Sequence, residues 1–438
     1  MDIASLVAYR VLFGALMAWG LFRFWWNGWL ERSFIEPTFF FRYWGFEWVT
    51  VPGPVGVYAV FALGTIAALM VAFGLFYRAS ALVVFLSFTY IELMDQSNYL
   101  NHYYLLSILS FLNLFLPLNR KWSLDVALGF VKEADYVPAW CLNLLRFQVA
   151  CVYFFAGIGK IGTDWLLHAQ PLNLWMMSQV DVPVIGPWLA QSAVQYMMAW
   201  SGFLFDTFIW IFLLVPTTRA AAYGVVLVFH FFTGVFFPIG LFPYIMISCA
   251  TVFFSPSWPR RFLRSAPAAR LSNLSVKPLT VAAIGIFALV QLALPFRHFL
   301  YPSDLLWSEE CMRFSWRVMV REKNGQVTFK VTDRDSGKRW EISPGQYLAQ
   351  HQELEMSGQP DMIWQLAKHI EKDFLNRGRK VAVRAEAWVS LNGRPATLLL
   401  DPEVDLTQVE DSLAPKNWIL PGPRSAPTSL SQAKLGNP

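Results

Sequence analysis

Long apolar stretches fill the first two-thirds of the chain, whereas the last third alternates between apolar and polar positions. A helix needs about 20 apolar residues to cross a bilayer. Stretches of that kind occur at 5–27, 54–76, 79–95, 99–117, 139–159, 188–216, 218–237, 239–255 and 279–298. The third and eighth are short, and the sixth is long enough to be tilted or broken. The pattern predicts a polytopic α-helical membrane domain of about nine spans over residues 1–298.

Beyond residue 299 the apolar positions recur with a period of two, which is typical of β-strands. Strands are predicted at 314–320, 327–331, 339–342, 381–391 and 396–400, and helices at 345–356 and 361–376. Asn-Gly pairs at 324–325 and 392–393 predict hairpin turns, and Asp-Ser-Gly at 335–337 predicts another turn. We expect a β-rich soluble domain over 299–421, followed by a disordered tail, rich in Pro and Ser, over 422–438.

The composition excludes an ordinary soluble enzyme. Of the 438 residues, 55% are hydrophobic and 15% are charged, whereas soluble domains carry about 25% charged residues. The net charge of +5 arises within residues 1–298, in loops between apolar stretches, so nucleic acid is not an expected partner. Basic residues concentrate in alternate loops. This places the N-terminus in the cytoplasm and, with an odd number of spans, the β-rich domain on the exoplasmic side.

Polar residues within the apolar region indicate a functional site, because ionisable side chains are costly in a membrane and mark function there. Asn101 and His102 open the fourth stretch. Lys160 closes the fifth stretch among glycines, and His230 lies within the seventh. Each also has a structural explanation. Asn101 could cap a helix beside an interfacial histidine, the Lys160 side chain could reach the headgroups, and His230 could make a purely structural hydrogen bond.

The predicted topology places several of these polar residues at one depth in the membrane. Span four begins and span five ends on the outer side, so Asn101, His102 and Lys160 are expected at a similar depth. The aromatic residues near them in the sequence are Tyr99, Tyr103, Tyr104, Tyr153, Phe154 and Phe155. We expect an aromatic-lined polar pocket beneath the outer leaflet, suited to a flat, lipid-soluble ligand such as a quinone. The four cysteines form no CxxC pair, and neither a disulfide framework nor a metal site is predicted.

Several blocks of the sequence recur in one known family. In the apolar region they are Asp95 followed by Asn101-His102-Tyr-Tyr-Leu105, Tyr153-Phe-Phe-Ala-Gly157 followed by Lys160 and Asp164-Trp165, and Phe229-His230 followed by 236–244. In the last third they are Phe314-Ser-Trp316, Trp388-Val-Ser-Leu-Asn392, Asp401-Pro-Glu-Val-Asp405 and Asn417-Trp418. With these blocks in order from around residue 8 to 421, the chain resembles the vitamin K-dependent gamma-carboxylase family, of the bacterial kind.

The resemblance implies a membrane enzyme of the carboxy-lyase type. Such an enzyme couples epoxidation of vitamin K hydroquinone, of the phylloquinone or menaquinone type, by O2 to the addition of CO2 at a glutamate of a peptide or protein substrate. By position, Lys160 matches the family's catalytic base, which deprotonates the hydroquinone. His102, with Asn101, would supply hydrogen bonds to the quinone oxygen or to the developing carbanion.

The resemblance also implies further site residues and a location. Those expected at the quinone are His230, Tyr99 and Tyr153, and those expected at the glutamate substrate are Trp316 and Arg321. No metal is implied. We expect a multi-pass protein in contact with membrane lipid, in a bacterial inner membrane, with the β-rich domain in the periplasm.

Departures from the family pattern leave other functions open. Gln96, Tyr99 and Leu100 replace three residues of the vertebrate members, and Arg321 stands where those members have a histidine linked to glutamate handling. One alternative is therefore a quinone epoxidase or oxygenase that does not carboxylate glutamate. Another is a non-catalytic membrane protein that binds quinone or lipid. The lysine at position 160 helps to distinguish an enzyme from a binding protein. A binding protein would tolerate Arg or Gln there, whereas arginine cannot serve as a base.

Overall fold

The computed structural model describes residues 1–264, 266 and 276–428, so residues 429–438 of the predicted tail lie outside the described residues. The chain divides into two compact units. The first unit comprises Met1–Ile35, Arg42–Phe155 and Leu204–Leu294. The second unit comprises Glu36–Phe41, Ala156–Phe203 and Pro295–Pro438.

Helices dominate the first unit and the start of the second. In the described residues the α-helices are α1 Ala4–Trp26, α2 Pro54–Phe73, α3 Tyr77–Met94, α4 Asn101–Asn113, α5 Leu124–Ala127, α6 Trp140–Ile158, α7 Thr163–His168, α8 Leu172–Met177, α9 Gly186–Leu189, α10 Ser192–Leu214, α11 Arg219–Phe236, α12 Phe242–Ala250, α13 Trp258–Leu263, α14 Pro278–Ala293, α15 Leu305–Ser308, α16 Gln350–Ser357 and α17 Pro360–Asn376. The strands are β1 Lys323–Asp333, β2 Arg339–Ile342, β3 Val381–Leu391 and β4 Thr397–Leu398.

Seven of the described helical segments are long and apolar enough to cross a membrane. They are Ala4–Trp26, Pro54–Phe73, Tyr77–Met94, Trp140–Ile158, Ser192–Leu214, Arg219–Phe236 and Pro278–Leu300. The other two predicted stretches, 99–117 and 239–255, coincide with the shorter helices α4 and α12. The prediction of a polytopic helical membrane protein is therefore confirmed.

Close backbone approach holds the first unit together where α1 crosses α2. Gly14 lies so near α2 that a Cβ atom there would come within 2.6 Å of the Ala72 nitrogen and 2.7 Å of the Ala68 oxygen. Small residues at helix crossings are typical of membrane bundles, whose helices gain stability from tight packing. The buried Arg10 guanidinium donates to the carbonyls of Leu118 and Trp122 at 2.8 and 2.7 Å, and so holds the loop that follows α4.

A four-stranded antiparallel sheet with the order β2-β1-β3-β4 forms the β-rich part of the second unit. The helix α17 packs against β3. Its amphipathic sequence buries one face while the charged face remains exposed, and alternate residues of β1 and β3 face the same core. The fully buried residues of that core include Phe329, Val331, Met362, Ile363, Leu366, Ile370, Val383 and Val389.

Most predicted elements of this region are confirmed, and two are wrong. The turn at 392–393 is confirmed, since Asn392 and Gly393 have φ values of 50° and 80° and connect β3 to β4. The turn predicted at 324–325 does not form, because β1 runs through it and Gly325 pairs with Val389. Only glycine fits at position 325, because a Cβ atom there would lie 2.5 Å from the Ser357 oxygen. The strand predicted at 314–320 is irregular backbone.

Candidate functional site

Lys160 lies just beyond the C-terminal end of α6 and is 5% exposed. Its ammonium donates to the carbonyl of Ala156 in the last turn of that helix at 3.1 Å, and to the carbonyl of Val318 at 3.4 Å. The same nitrogen lies 5.1 Å from the centre of the Trp165 ring, within cation–π distance. A helix C-terminus favours a cation. The amine is therefore held in one place by two backbone oxygens and an indole face.

The Val318 carbonyl belongs to a segment of unusual backbone conformation. Five non-glycine residues between 309 and 319 have left-handed φ values from 54° to 68°: Glu309, Cys311, Phe314, Trp316 and Met319. Residues other than glycine adopt that region at a cost of about 1–2 kcal/mol each. Such conformations cluster at functional sites, where surrounding contacts enforce them. The alternation of apolar residues that predicted a strand here instead produces a compact turn-rich segment around Trp316, which is 1% exposed.

Residues 160–166, which we call the lysine loop, are fastened by an ion pair. Both carboxylate oxygens of Asp164, in the first turn of α7, accept hydrogen bonds from the Arg394 guanidinium, at 2.7 and 2.6 Å. The Asn392 amide donates to the same carboxylate at 2.9 Å. Burial alone would raise the pKa of Asp164, but the bonds from Arg394 and Asn392 outweigh it and lower that pKa below its ordinary value.

Arg321, expected at the glutamate substrate, is held by acidic residues. Its guanidinium lies 3.0 Å from a carboxylate oxygen of Glu309 and 3.6 Å from one of Glu355. Glu309 also pairs with Lys323 at 3.2 Å, and both of those side chains are almost fully buried. Burial lowers the pKa of Lys323 to about 8, Glu309 opposes this, and the nearby Arg321 charge adds to it. Arg321 is thus a partly exposed cation whose charge is already compensated.

Two buried histidines of the first unit flank one phenylalanine. The centre of the Phe242 ring lies 5.8 Å from that of His102 and 5.7 Å from that of His230. His102 is the second residue of α4, His230 lies in the C-terminal half of α11, and Phe242 begins α12. Tyr153 approaches from α6, with its hydroxyl 3.1 Å from Nε2 of His230. Three of the predicted residues, His102, His230 and Tyr153, therefore belong to one aromatic cluster, which we call the histidine cluster.

The remaining predicted residues occupy the start of α4. The Tyr99 hydroxyl donates to Oδ1 of Asn101 at 3.1 Å, so these two side chains are brought together. Leu100, and not Asn101, occupies the N-cap position of α4. Lys160, Trp316 and Arg321 belong to the second unit, whereas Asn101, His102, His230, Tyr99 and Tyr153 belong to the first.

Several residues of these sites were missed by the sequence analysis. Phe242, which links the two histidines, lies within the family block at 236–244. It has no polar group, so its residue type does not indicate a functional site. The Val318 contact uses a backbone carbonyl, for which no side-chain pattern exists. Asp164 and Arg394 are 230 positions apart, and their pairing depends on the tertiary fold. One family block contained Asp164 and Trp165 and another contained Asn392, but nothing in their spacing indicated that the two blocks are in contact.

The histidine cluster has the chemistry expected of a quinone site. The rings of Phe205, Phe229 and Phe242 surround His230 and supply flat apolar surfaces. Nδ1 of His230 is buried and has no hydrogen-bond partner among the described residues. A buried polar atom of this kind needs a partner, and a quinone oxygen supplies one. Among the described residues, no group of three or more His, Cys, Asp or Glu side chains is arranged to hold a metal ion.

Two family models match the chain. The model described as HTTM domain matches residues 1–258, which is more than half of the chain. The model described as vitamin K-dependent gamma-carboxylase, lumenal domain, matches residues 276–425. No solved structure matches the chain. The two matches follow one another along the sequence and together span both its helical and its β-rich parts.

Proposed function

Because the chain belongs to the vitamin K-dependent gamma-carboxylase family, we propose that it couples epoxidation of vitamin K hydroquinone to carboxylation of peptidyl glutamate. The balanced reaction consumes hydroquinone, O2, CO2 and a glutamate residue, and yields the epoxide, water and γ-carboxyglutamate. Family membership already implies a vitamin K-dependent carboxylase that acts on peptide glutamate. The coupling, the base and the binding residues are the proposal.

The observation that carries the proposal is the environment of Lys160. The amine is buried, touches an indole face and donates to the carbonyls of Ala156 and Val318. A primary amine held at a fixed position by backbone carbonyls and an indole can accept a proton from a neighbouring hydroxyl, which is the task proposed for the base.

We assign the quinone to the residues of the histidine cluster, with Asn101 and Tyr99. When bound, vitamin K hydroquinone supplies, through its reaction with O2, the strong base that removes the γ-proton of glutamate. The chain's own part is to orient the ring between aromatic faces and to hydrogen-bond its oxygens. His230 would use its Nδ1 for this, while Tyr153 holds the other ring nitrogen. His102, buried against Phe242, would supply a second donor.

We assign the glutamate substrate to the segment that carries Trp316 and Arg321. Trp316 is buried and shapes the segment, whereas the partly exposed Arg321 presents its cation near Glu309 and Glu355. A substrate carboxylate could bind Arg321 only by competing with these two acids. This pairing favours a second candidate function, a quinone epoxidase that does not carboxylate glutamate.

The chain is a multi-pass membrane protein with a lumenal domain. Within it we propose a catalytic membrane domain over 1–298, a β-rich domain over 299–421 and a tail over 422–438. We further propose a bacterial inner membrane with the β-rich domain in the periplasm. The alternation of basic loops supports the side of the membrane proposed for the β-rich domain, and the resemblance to bacterial members of the family supports the bacterial inner membrane.

The decisive experiment measures two products with the purified protein. Vitamin K epoxide and labelled CO2 fixed into a glutamate-containing peptide are measured for the unaltered protein and for Lys160→Ala, with thermal unfolding as a check of folding. Both products, lost together in the variant, would support the carboxylase. Epoxide without fixed CO2 would support the second candidate. If the folded protein forms neither product, the proposed catalysis is wrong and a quinone- or lipid-binding role takes its place.

A further inference from the structure

The side-chain amide of Asn392 joins two segments that both touch Lys160. Its Oδ1 accepts a hydrogen bond from the backbone N–H of Glu322 at 2.8 Å, and its Nδ2 donates to Asp164 at 2.9 Å. The backbone of Asn392 also donates to the Glu322 carbonyl at 2.9 Å. All of these residues belong to the second unit. One fully buried amide therefore fixes the distance between the lysine loop and the segment that precedes β1.

Arg394 makes the same connection more rigid. Its two terminal nitrogens bind the two oxygens of Asp164 in the paired geometry that suits a planar guanidinium. Its Nε donates to the carbonyl of Ser425 at 2.8 Å. Only 10% of the Arg394 side chain and 14% of the Asp164 side chain are exposed. The pair is thus shielded from water and held on both sides.

Each of the two segments that Asn392 joins also contacts the amine of Lys160. On one side, Trp165 follows Asp164 directly, lies 5.1 Å from the Lys160 nitrogen, and donates from its indole to the Ala199 carbonyl at 2.8 Å. On the other side, Val318 accepts a hydrogen bond from Lys160 and lies four residues before Glu322. The separation of Asp164 and Glu322 therefore bears on two contacts of the amine, the one with Trp165 and the one with the Val318 carbonyl.

We propose that Asp164, Asn392 and Arg394 are positioning residues for Lys160. They touch no reacting group themselves, and they act by keeping Trp165 and the Val318 carbonyl in place around the amine. The inference rests on the proposed function, in which Lys160 is the base. A shift of about 1 Å in a catalytic group can reduce a rate by about a hundredfold, so the loss of this connection is expected to lower turnover rather than substrate affinity.

The test uses three variants, at two positions, that disturb different parts of the connection. Asn392→Gly removes the amide but keeps the left-handed backbone at this position, which glycine adopts without strain. Arg394→Gln removes the ion pair, and Arg394→Lys retains the charge without the paired geometry. The matched control is Arg384→Gln on β3, whose guanidinium donates to the Glu403 carbonyl, away from the lysine loop.

Two measurements are made on each purified full-length variant. We expect kcat for epoxide formation to fall about tenfold to a hundredfold in Asn392→Gly and Arg394→Gln, with little change in KM and partial recovery in Arg394→Lys. We expect amide hydrogen exchange in residues 160–166 of the ligand-free protein to rise about tenfold in the same variants. Arg384→Gln should match the unaltered protein in both measurements.

The outcomes separate this inference from the proposed function. Unchanged exchange in residues 160–166, or an unchanged kcat per folded molecule beside a lower unfolding temperature, would overturn the positioning role even if Lys160→Ala abolishes epoxidation. If the unaltered protein forms no epoxide, the proposed function fails by itself. The exchange measurement then still decides whether Asn392 and Arg394 hold the lysine loop.

Discussion

The hydroxyl of Tyr153 lies 3.1 Å from Nε2 of His230, and both side chains are almost fully buried in the first unit. When the phenol donates this bond, Nε2 is the acceptor and the imidazole proton lies on Nδ1. That nitrogen is the one that has no partner among the described residues. With the phenol as donor, this bond selects the tautomer that presents a donor to a bound ligand.

Replacing Tyr153 by Phe should impair the enzyme without unfolding it. The ring would keep its contacts with Phe205, but His230 would lose the bond that selects its tautomer. We expect kcat/KM for vitamin K hydroquinone to fall about tenfold, since a hydrogen bond of this kind is worth about 1 kcal/mol or more. The control is Tyr90→Phe, which loses a hydroxyl bond to the Thr50 carbonyl. Equal effects of the two substitutions would contradict the assigned role.

Lys160→Arg should preserve the charge and abolish the chemistry. A guanidinium can donate to the carbonyls of Ala156 and Val318 and lie over Trp165, but it does not give up its proton in proteins. We expect epoxide formation to drop at least a hundredfold, with an unfolding temperature close to that of the unaltered protein. Lys338→Arg, at an exposed turn between β1 and β2, is the matched control. Substantial activity in Lys160→Arg would exclude a base at this position.

The buried pair of Glu309 and Lys323 should show strong coupling in stability. Glu309→Gln removes the ion-pair partner of the buried Lys323 ammonium, which costs about 3–5 kcal/mol. The double variant Glu309→Gln/Lys323→Met removes both charges and should recover most of that loss. Free energies of unfolding in denaturant measure both effects. For comparison, Glu386→Gln breaks the exposed pair with Lys330 and should cost under about 1 kcal/mol. Additive effects at 309 and 323 would refute the coupling.

Lys323 also predicts a dependence of stability on pH. Its folded pKa of about 8 lies below the ordinary value of 10.5, so between these pH values the unfolded chain binds more protons than the folded one. Stability should therefore rise as the pH increases from about 8 to 10.5, and below pH 8 this contribution is absent. Unfolding temperatures across that range, compared with those of Lys323→Met, isolate the effect. A slope that persists in the variant would assign it to other groups.

Gly14→Ala should destabilise the first unit. The added methyl would meet backbone atoms of α2 at less than 3 Å, and backbone atoms cannot move aside as a flexible side chain can. We expect a loss of about 1–3 kcal/mol, as in other overpacked interiors. Gly285→Ala on α14 is the matched control, because a Cβ atom there meets nothing within 4 Å. Thermal unfolding in detergent compares them, and similar midpoints would contradict the predicted clash.

The sequence reveals the architecture well because membrane crossing and strand alternation leave strong patterns. The apolar stretches predicted the helices, and the strand and turn at Arg339–Ile342 and 392–393 followed from local chemistry. The turn predicted at Asn324-Gly325 was wrong, because a glycine that suits a turn also suits a strand that passes close to the end of a helix. The strand predicted at 314–320 was wrong, because tertiary contacts override the alternation of apolar and polar residues there.

The sequence indicates candidate site residues but not their arrangement. Lys160, His102 and His230 stand out because polar groups in apolar stretches are rare. Their partners do not stand out: Phe242 is one aromatic residue among many, and Val318 contributes only a carbonyl. Arg394 resembles any charged residue near a hairpin turn until the fold brings it to Asp164. Contacts between residues distant in sequence have no local pattern.

The left-handed residues between Glu309 and Met319 all carry side chains. Glycine would relieve the steric cost at any of the five positions. It would also remove a side chain, and two of these side chains are held in the interior, since Trp316 is 1% exposed and Glu309 pairs with Lys323. The side chains of this segment therefore hold the backbone in a conformation that it would not keep by itself, and a glycine would free the backbone that carries the Val318 carbonyl without making the protein more stable.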